Sequence, residues 1–164
     1  MGDDPPILIL SIERKPGGAA KDTAHNIALQ REFVVNLVDE ATAERMHACS
    51  RDFPSDESEA AAVGFTTLPS RAVAAPRIAE SPVALECKLY QTIDISPLRQ
   101  LIIGQVVWLH SHEGVFDPQT LRVNMDRYFP VGRLYADRYV TTRDQFVAEG
   151  SPEYLAAIRS QGRL

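Results

Sequence analysis

Residues 83–95 constrain this chain more than any other stretch. Val83, Leu85, Cys87, Leu89, Ile93 and Ile95 alternate with Ala84, Glu86, Lys88, Tyr90, Thr92 and Asp94. A period of two over so many residues belongs to a long β-strand with one buried and one largely wet face. Cys87 falls on the buried face, which makes it a structural thiol rather than a reactive one. Ser96-Pro97 turns the chain, and Leu101–Leu109 returns as a more apolar strand. The pair predicts an antiparallel hairpin.

Around it the strands are shorter. Ile7-Leu8-Ile9-Leu10-Ser11-Ile12 reads as a strand covered on both faces, with Pro5-Pro6 at its entry. Gly17-Gly18 breaks the chain, and Asp22 or Thr23 caps a short helix to about Arg31, anchored by Ile27. Residues 33–38 form another strand, joined to the first by a right-handed crossover or paired antiparallel. Helices are expected over 40–49 and, after the capping residues of 55–59, over Ala60–Val63 with Gly64 as its stop. Residues 65–82 carry Pro69, Pro76 and Pro82 and read as a long surface excursion. Residues 117–130 fit no period, 133–142 read as a last strand, and Ser151-Pro152-Glu153 opens a terminal helix. Long strands with only short helices make a mainly β, β-rich α+β fold. Residues 1–148 form one domain and 149–164 a C-terminal helical tail.

Composition excludes whole classes of function. The 164 residues carry 17 basic and 22 acidic side chains, a net charge of −5, and no basic stripe. Such a chain is poorly suited to nucleic acid or an anionic membrane surface. Its apolar runs, such as Ile7–Leu10, are far shorter than a spanning helix needs. Two cysteines and no basic n-region fit a reduced, cytoplasmic protein.

Lys21-Asp22-Thr23, with Asn26 one turn on, is the most suggestive local group. A glycine-containing loop brings a lysine and a hydroxyl to a helix N-terminus, where free N–H groups and the dipole favour an anion. The same residues also fit a plain capped helix, and the local pattern alone leaves both readings open. His110 and His112 share a strand face, but no third ligand at metal spacing accompanies them, and no metal site is assigned. His47 and Cys49 point in different directions on a helix and make no catalytic pair. No nucleophile motif, phosphate loop or dinucleotide fingerprint is present. No residue is assigned a catalytic role.

Six segments in order resemble the flavin reductase-like, FMN-binding split-barrel family. They are residues 4–12 (Asp-Pro-Pro-Ile-Leu-Ile-Leu-Ser-Ile), 21–27 (Lys-Asp-Thr-Ala-His-Asn-Ile), 33–38 (Phe-Val-Val-Asn-Leu-Val), 76–87 (from Pro76-Arg77-Ile78 to Glu86-Cys87), 103–107 (Ile-Gly-Gln-Val-Val) and 130–134 (Pro-Val-Gly-Arg-Leu). The resemblance implies an antiparallel split β-barrel with short peripheral helices, paired as a homodimer with FMN in a cleft at the interface. It implies that Lys21 and Thr23 contact the flavin phosphate, joined by Asp22 and Asn26. The implied activity is flavin reduction by NAD(P)H, or electron transfer to a small-molecule redox substrate or acceptor. There the flavin carries the hydride chemistry and the protein positions it. Two departures stand out. Family members carry further strands before the Asp4-Pro5-Pro6 segment, so Met1 is expected to be an internal methionine. Tyr135-Ala136 stand where many relatives have paired glycines. The competing reading is a truncated, non-enzymatic dimerising split barrel with weak or no flavin binding. A weaker one is a binder of some other phosphate at the same anion site.

Overall fold

The expected hairpin forms the centre of the molecule. In the computed structural model, which describes residues 4–54, 56–145, 150, 156 and 159–160, β5 (Val83–Ser96) and β6 (Arg99–Ser111) pair antiparallel along their length. Upstream lie β1 (Ile7–Glu13), α1 (Asp22–Gln30), β2 (Glu32–Leu37), α2 (Ala43–Ala48), α3 (Glu59–Ala62), β3 (Thr67–Leu68) and β4 (Arg77–Ile78). Downstream come β7 (Val131–Tyr135) and β8 (Arg138–Thr141). The main sheet has the order β1-β6-β5-β2, wholly antiparallel, and β3-β4 and β7-β8 make two small separate sheets. These sheets do not close on one another. β1 and β2 stand on opposite edges of the main sheet and pair with β6 and β5 instead of each other, so neither the crossover unit nor their direct antiparallel pairing is formed.

One face of the main sheet carries the core. Leu8, Leu10 and Ile12 of β1, Phe33 of β2, Cys87 of β5 and Ile102 of β6 pack with Ala24 and Ile27 of α1. Ile27 is buried as its spacing predicts. Cys87 is fully buried, and loss of water pushes its thiol up to about 11, so it stays protonated and inert. Phe33 reaches the sheet only because Gly104 lies beneath it. A Cβ added to Gly104 would collide with the Phe33 ring and lie 3.2 Å from the Cys87 Cβ. Gly104→Val should therefore cost about 1–3 kcal/mol by overpacking, read as a lowered urea midpoint. A midpoint equal to the wild type would contradict this packing.

Several expectations need correction. β1 is an edge strand, not one covered on both faces: its outward Ile9 is 58% exposed in the single chain. Neither Asp22 nor Thr23 caps α1. The cap position is Lys21, extended and without a side-chain cap bond. The last strand over 133–142 is two strands, with Ala136 at φ 50 in the turn between them. The wet face of β5 is wet only in its outer half, because Ala84 and Glu86 are as buried as the apolar face. In the region that fits no period, Phe116 and Val123 form an isolated bridge around a turn at Asp117. The helix over 40–49 is shorter than expected, and Ser58 caps α3 by accepting from the Ala61 N–H. The terminal helix opening at Ser151-Pro152-Glu153 lies outside the described residues.

Candidate functional site

The loop from β1 to α1 is built to present its residues at a helix mouth. Gly17 and Gly18 both have φ near +90, a region open to glycine and costly for other residues. The loop closes with the Gly18 N–H donating to the Lys15 carbonyl and the Lys15 N–H donating to Ala19. Lys21 then enters α1 extended, and the helix's first intrahelical donor is the His25 N–H, 3.0 Å from the Lys21 carbonyl. No side chain caps the N–H groups of the first turn. Those donors, with the positive end of the helix dipole, are the ingredients of an anion site.

The mouth of α1 opens on a cleft of about 1180 Å³. Its other walls are Glu13–Pro16, the stretch from Cys49 to Phe53 after α2, Glu59, and the β5–β6 turn with Ser96, Leu98 and Arg99. Lys21, Asp22 and Thr23 all line it; Asn26 is exposed and lies outside this lining. Five cations reach the cleft: Arg14, Lys15, Lys21, Arg51 and Arg99. Three are engaged. Arg14 pairs with Asp94 at 2.7 Å, Lys15 with Asp22 at 3.1 Å, and Arg99 with Glu13 and the Ser11 hydroxyl. Lys21 and Arg51 have no side-chain partner among the described residues. Asp52 and Glu59 add negative charge to the same walls. The cleft thus has a cationic end at the α1 mouth.

Cys49 also faces the cleft, and burial, reinforced by the Glu59 carboxylate, raises its thiol above the usual range. A protonated thiol is a poor nucleophile. His47 is bonded to the Tyr139 hydroxyl at 3.1 Å instead. The two histidines do not share a strand face, because β6 ends at Ser111: His110 Nε2, on β6, meets Glu86, and His112 Nε2, just past the strand, donates to the Ala79 carbonyl at 2.9 Å. Among the described residues no group of three ligand-type side chains could hold a metal ion. No described helix is long and apolar enough to cross a membrane.

Sequence reasoning missed Glu86. Its side chain is fully buried on the sheet face opposite the core, beneath the excursion between β3 and β4. The N–H groups of Arg71 and Ala72 donate to its two oxygens at 2.7 and 2.6 Å, and His110 Nε2–H donates as well. Burial alone raises such a carboxyl, but these donors outweigh it and hold Glu86 below the ordinary glutamate range. Neighbouring side chains on this face do the same work. Glu32 accepts from the Ala74 N–H and Asn36 from the Ile78 N–H, while the Arg71 guanidinium lies 4.0 Å over the Trp108 ring. Three acceptors on one sheet face, Glu32 and Asn36 on β2 and Glu86 on β5, opposite an irregular segment with N–H groups to satisfy, were the available signal.

A sequence model of the flavin reductase like domain matches residues 1–137. The chain belongs to the flavin reductase-like family. Membership accounts for the antiparallel, β-rich fold and its short peripheral helices. A protein of Aquifex aeolicus is 35% identical over 140 residues, covering 85% of this chain and 70% of that protein. Among solved structures, the 2-nitrobenzoate 2-nitroreductase NbaA of Pseudomonas fluorescens is 41% identical, with a TM-score of 0.82, covering 93% of this chain and 73% of that one. Nitrilotriacetate monooxygenase component B of Bacillus cereus is 28% identical, with a TM-score of 0.85, covering 90% and 74%. The flavin reductase-like relatives are thus longer than this chain.

Proposed function

We propose that this chain is an FMN-binding flavoprotein that passes electrons from NAD(P)H, through the flavin, to a small-molecule acceptor. The observation that carries this reading is the cationic end of the cleft. An uncapped helix mouth, the Thr23 hydroxyl and the free charge of Lys21 fit a phosphate monoester. The cleft, at about 1180 Å³, is somewhat larger than the common range of about 300–1,000 Å³ for small-molecule sites and has room for a ligand as large as a flavin nucleotide. FMN when bound supplies hydride and one-electron chemistry, which the side chains themselves do not offer. Lys21, Thr23 and the first-turn N–H groups hold its phosphate, and Arg51 faces the same space from the opposite wall. Asp22 orients Lys15, and Asn26 serves the site only from outside this lining.

The working unit in this reading is a cytoplasmic homodimer. Ile9, Ile95 and Leu98 are each more than half exposed along β1 and the β5–β6 turn, an apolar surface suited to a second copy. One observation favours the alternative of a flavin-free dimerising module: the sheets are open and β1 is an unpaired edge. A single preparation separates the two. The purified chain saturated with FMN should show the oxidised-flavin absorbance and lose it anaerobically on addition of NADH or NADPH, with a light-scattering mass twice that of one chain. A dimer that takes up no FMN would establish the alternative.

A further inference from the structure

Behind the cleft lies a second cavity, of about 180 Å³, between the end of β2, α2, α3 and β4. Cys49 and Glu59 line both spaces, so the smaller one adjoins the larger at these two residues. Its walls are apolar: Leu37, Met46, Ala60, Phe65 and Ile78 supply most of the surface. Three of the polar side chains along it are engaged within the fold. Thr42 Oγ1 donates to Asp39 Oδ1 at 2.7 Å, Asn36 Oδ1 accepts from Ile78, and the Ser81 hydroxyl lies 2.7 Å from the carbonyls of Leu37 and Val83. The Phe65 ring is held from outside by the Arg45 guanidinium, 4.4 Å from its centroid. Arg45 itself is fixed by donating to the Gly64 carbonyl at 3.1 Å.

We infer that this cavity is a binding site for one small, uncharged, monocyclic apolar molecule, such as a simple benzene ring. Size sets the first limit. The pocket is half-open, with its apolar lining partly buried, and its volume is close to the ~150 Å³ of an apolar cavity that takes up benzene. A volume of about 180 Å³ admits one ring with a small substituent. Charge sets the second limit. No basic residue among those described lines the cavity and the Glu59 carboxylate stands at its junction with the cleft, so a carboxylated ring would meet a like charge and no cation there. With Thr42, the Asn36 carbonyl oxygen and Ser81 engaged within the fold, the site recognises its ligand mainly by shape and apolar contact. This cavity is separate from the phosphate end of the cleft, and its occupancy does not depend on the flavin reading. Its position gives it meaning there, because a bound ring would sit beside whatever fills the cleft.

The test is a titration of the full chain with fluorobenzene, followed by ¹⁹F NMR with and without FMN, beside 4-fluorobenzoate. Saturable binding of fluorobenzene and none of 4-fluorobenzoate is expected. Ala60→Phe fills the cavity from α3 and should abolish fluorobenzene binding while leaving the FMN titration unchanged. Met46→Ala removes part of the apolar wall and should weaken fluorobenzene binding severalfold; this second variant decides the matter if Ala60→Phe does not fold. No saturable fluorobenzene binding, equal binding of the benzoate, or binding indifferent to both substitutions would overturn the inference. Failure of FMN to bind would overturn the flavin reading alone.

Discussion

Glu86→Ala should remove about 3–5 kcal/mol of stability, the largest loss expected from any single substitution in this fold. The carboxylate is fully buried, and its removal orphans the N–H groups of Arg71 and Ala72 and strips His110 of its partner. Domains of this size are stable by about 5–15 kcal/mol, so the variant should unfold at a much lower urea concentration. Amide exchange at Arg71 and Ala72 should quicken, since Glu86 pins the excursion to the sheet. Glu86→Gln keeps one acceptor oxygen and should lose less. Acid should act in the same direction. The folded Glu86 titrates below its unfolded value, so its contribution is complete above the ordinary glutamate range. That contribution is lost as the pH falls through the lower, folded value. Wild-type stability should therefore drop on acidification more steeply than that of Glu86→Gln. A Glu86→Ala loss under 1 kcal/mol, with the excursion's exchange unchanged, would contradict this role.

Lys21→Ala should weaken FMN roughly tenfold or more and leave riboflavin almost unaffected. A charge-assisted contact is worth about 1.5–3 kcal/mol, with the lower part of that range expected for an exposed lysine. Thr23→Val should cost less, since a hydroxyl brings no charge. Removing Arg51 as well should deepen the loss, because these two cations have no competing carboxylate partner among the described residues. The affinity should also fall with added salt, which screens exposed charges over about 8 Å at physiological ionic strength. Fluorescence quenching of each flavin reads all of these effects. Equal losses for FMN and riboflavin would remove Lys21 from the phosphate.

The parts of the fold written in strong periods were readable before any coordinates. The β5–β6 hairpin, the inward Cys87 and the anchoring Ile27 follow from side-chain alternation and helical spacing, which depend only on local geometry. Glu86 was not readable, because a period of two separates the faces without saying what covers the second one. That face is covered by residues 69–78, far away in sequence and irregular, whose N–H groups make a polar face buriable. The same limit applied to β1. Its apolar run indicates two apolar faces, yet only one is packed within the chain, and Ile9 faces outward. The cap of α1 was misplaced because Asp22 turns its carboxylate to Lys15 rather than to the helix N–H groups. That diversion leaves the first turn open to an anion. Lys21, Asp22 and Thr23 were therefore visible as a group, while the cations that join them from residues 14, 51 and 99 are brought in by tertiary structure.

The central claim is that the mouth of α1 holds the phosphate of a flavin. Its most direct measurement is the dissociation constant of the wild-type chain for FMN beside that for riboflavin, in one buffer at low salt. The two ligands differ only in the phosphate. This account predicts FMN binding tighter by roughly tenfold to a hundredfold, the worth of one or two charge-assisted contacts. Equal affinities for the two flavins, or no binding of FMN, would contradict it.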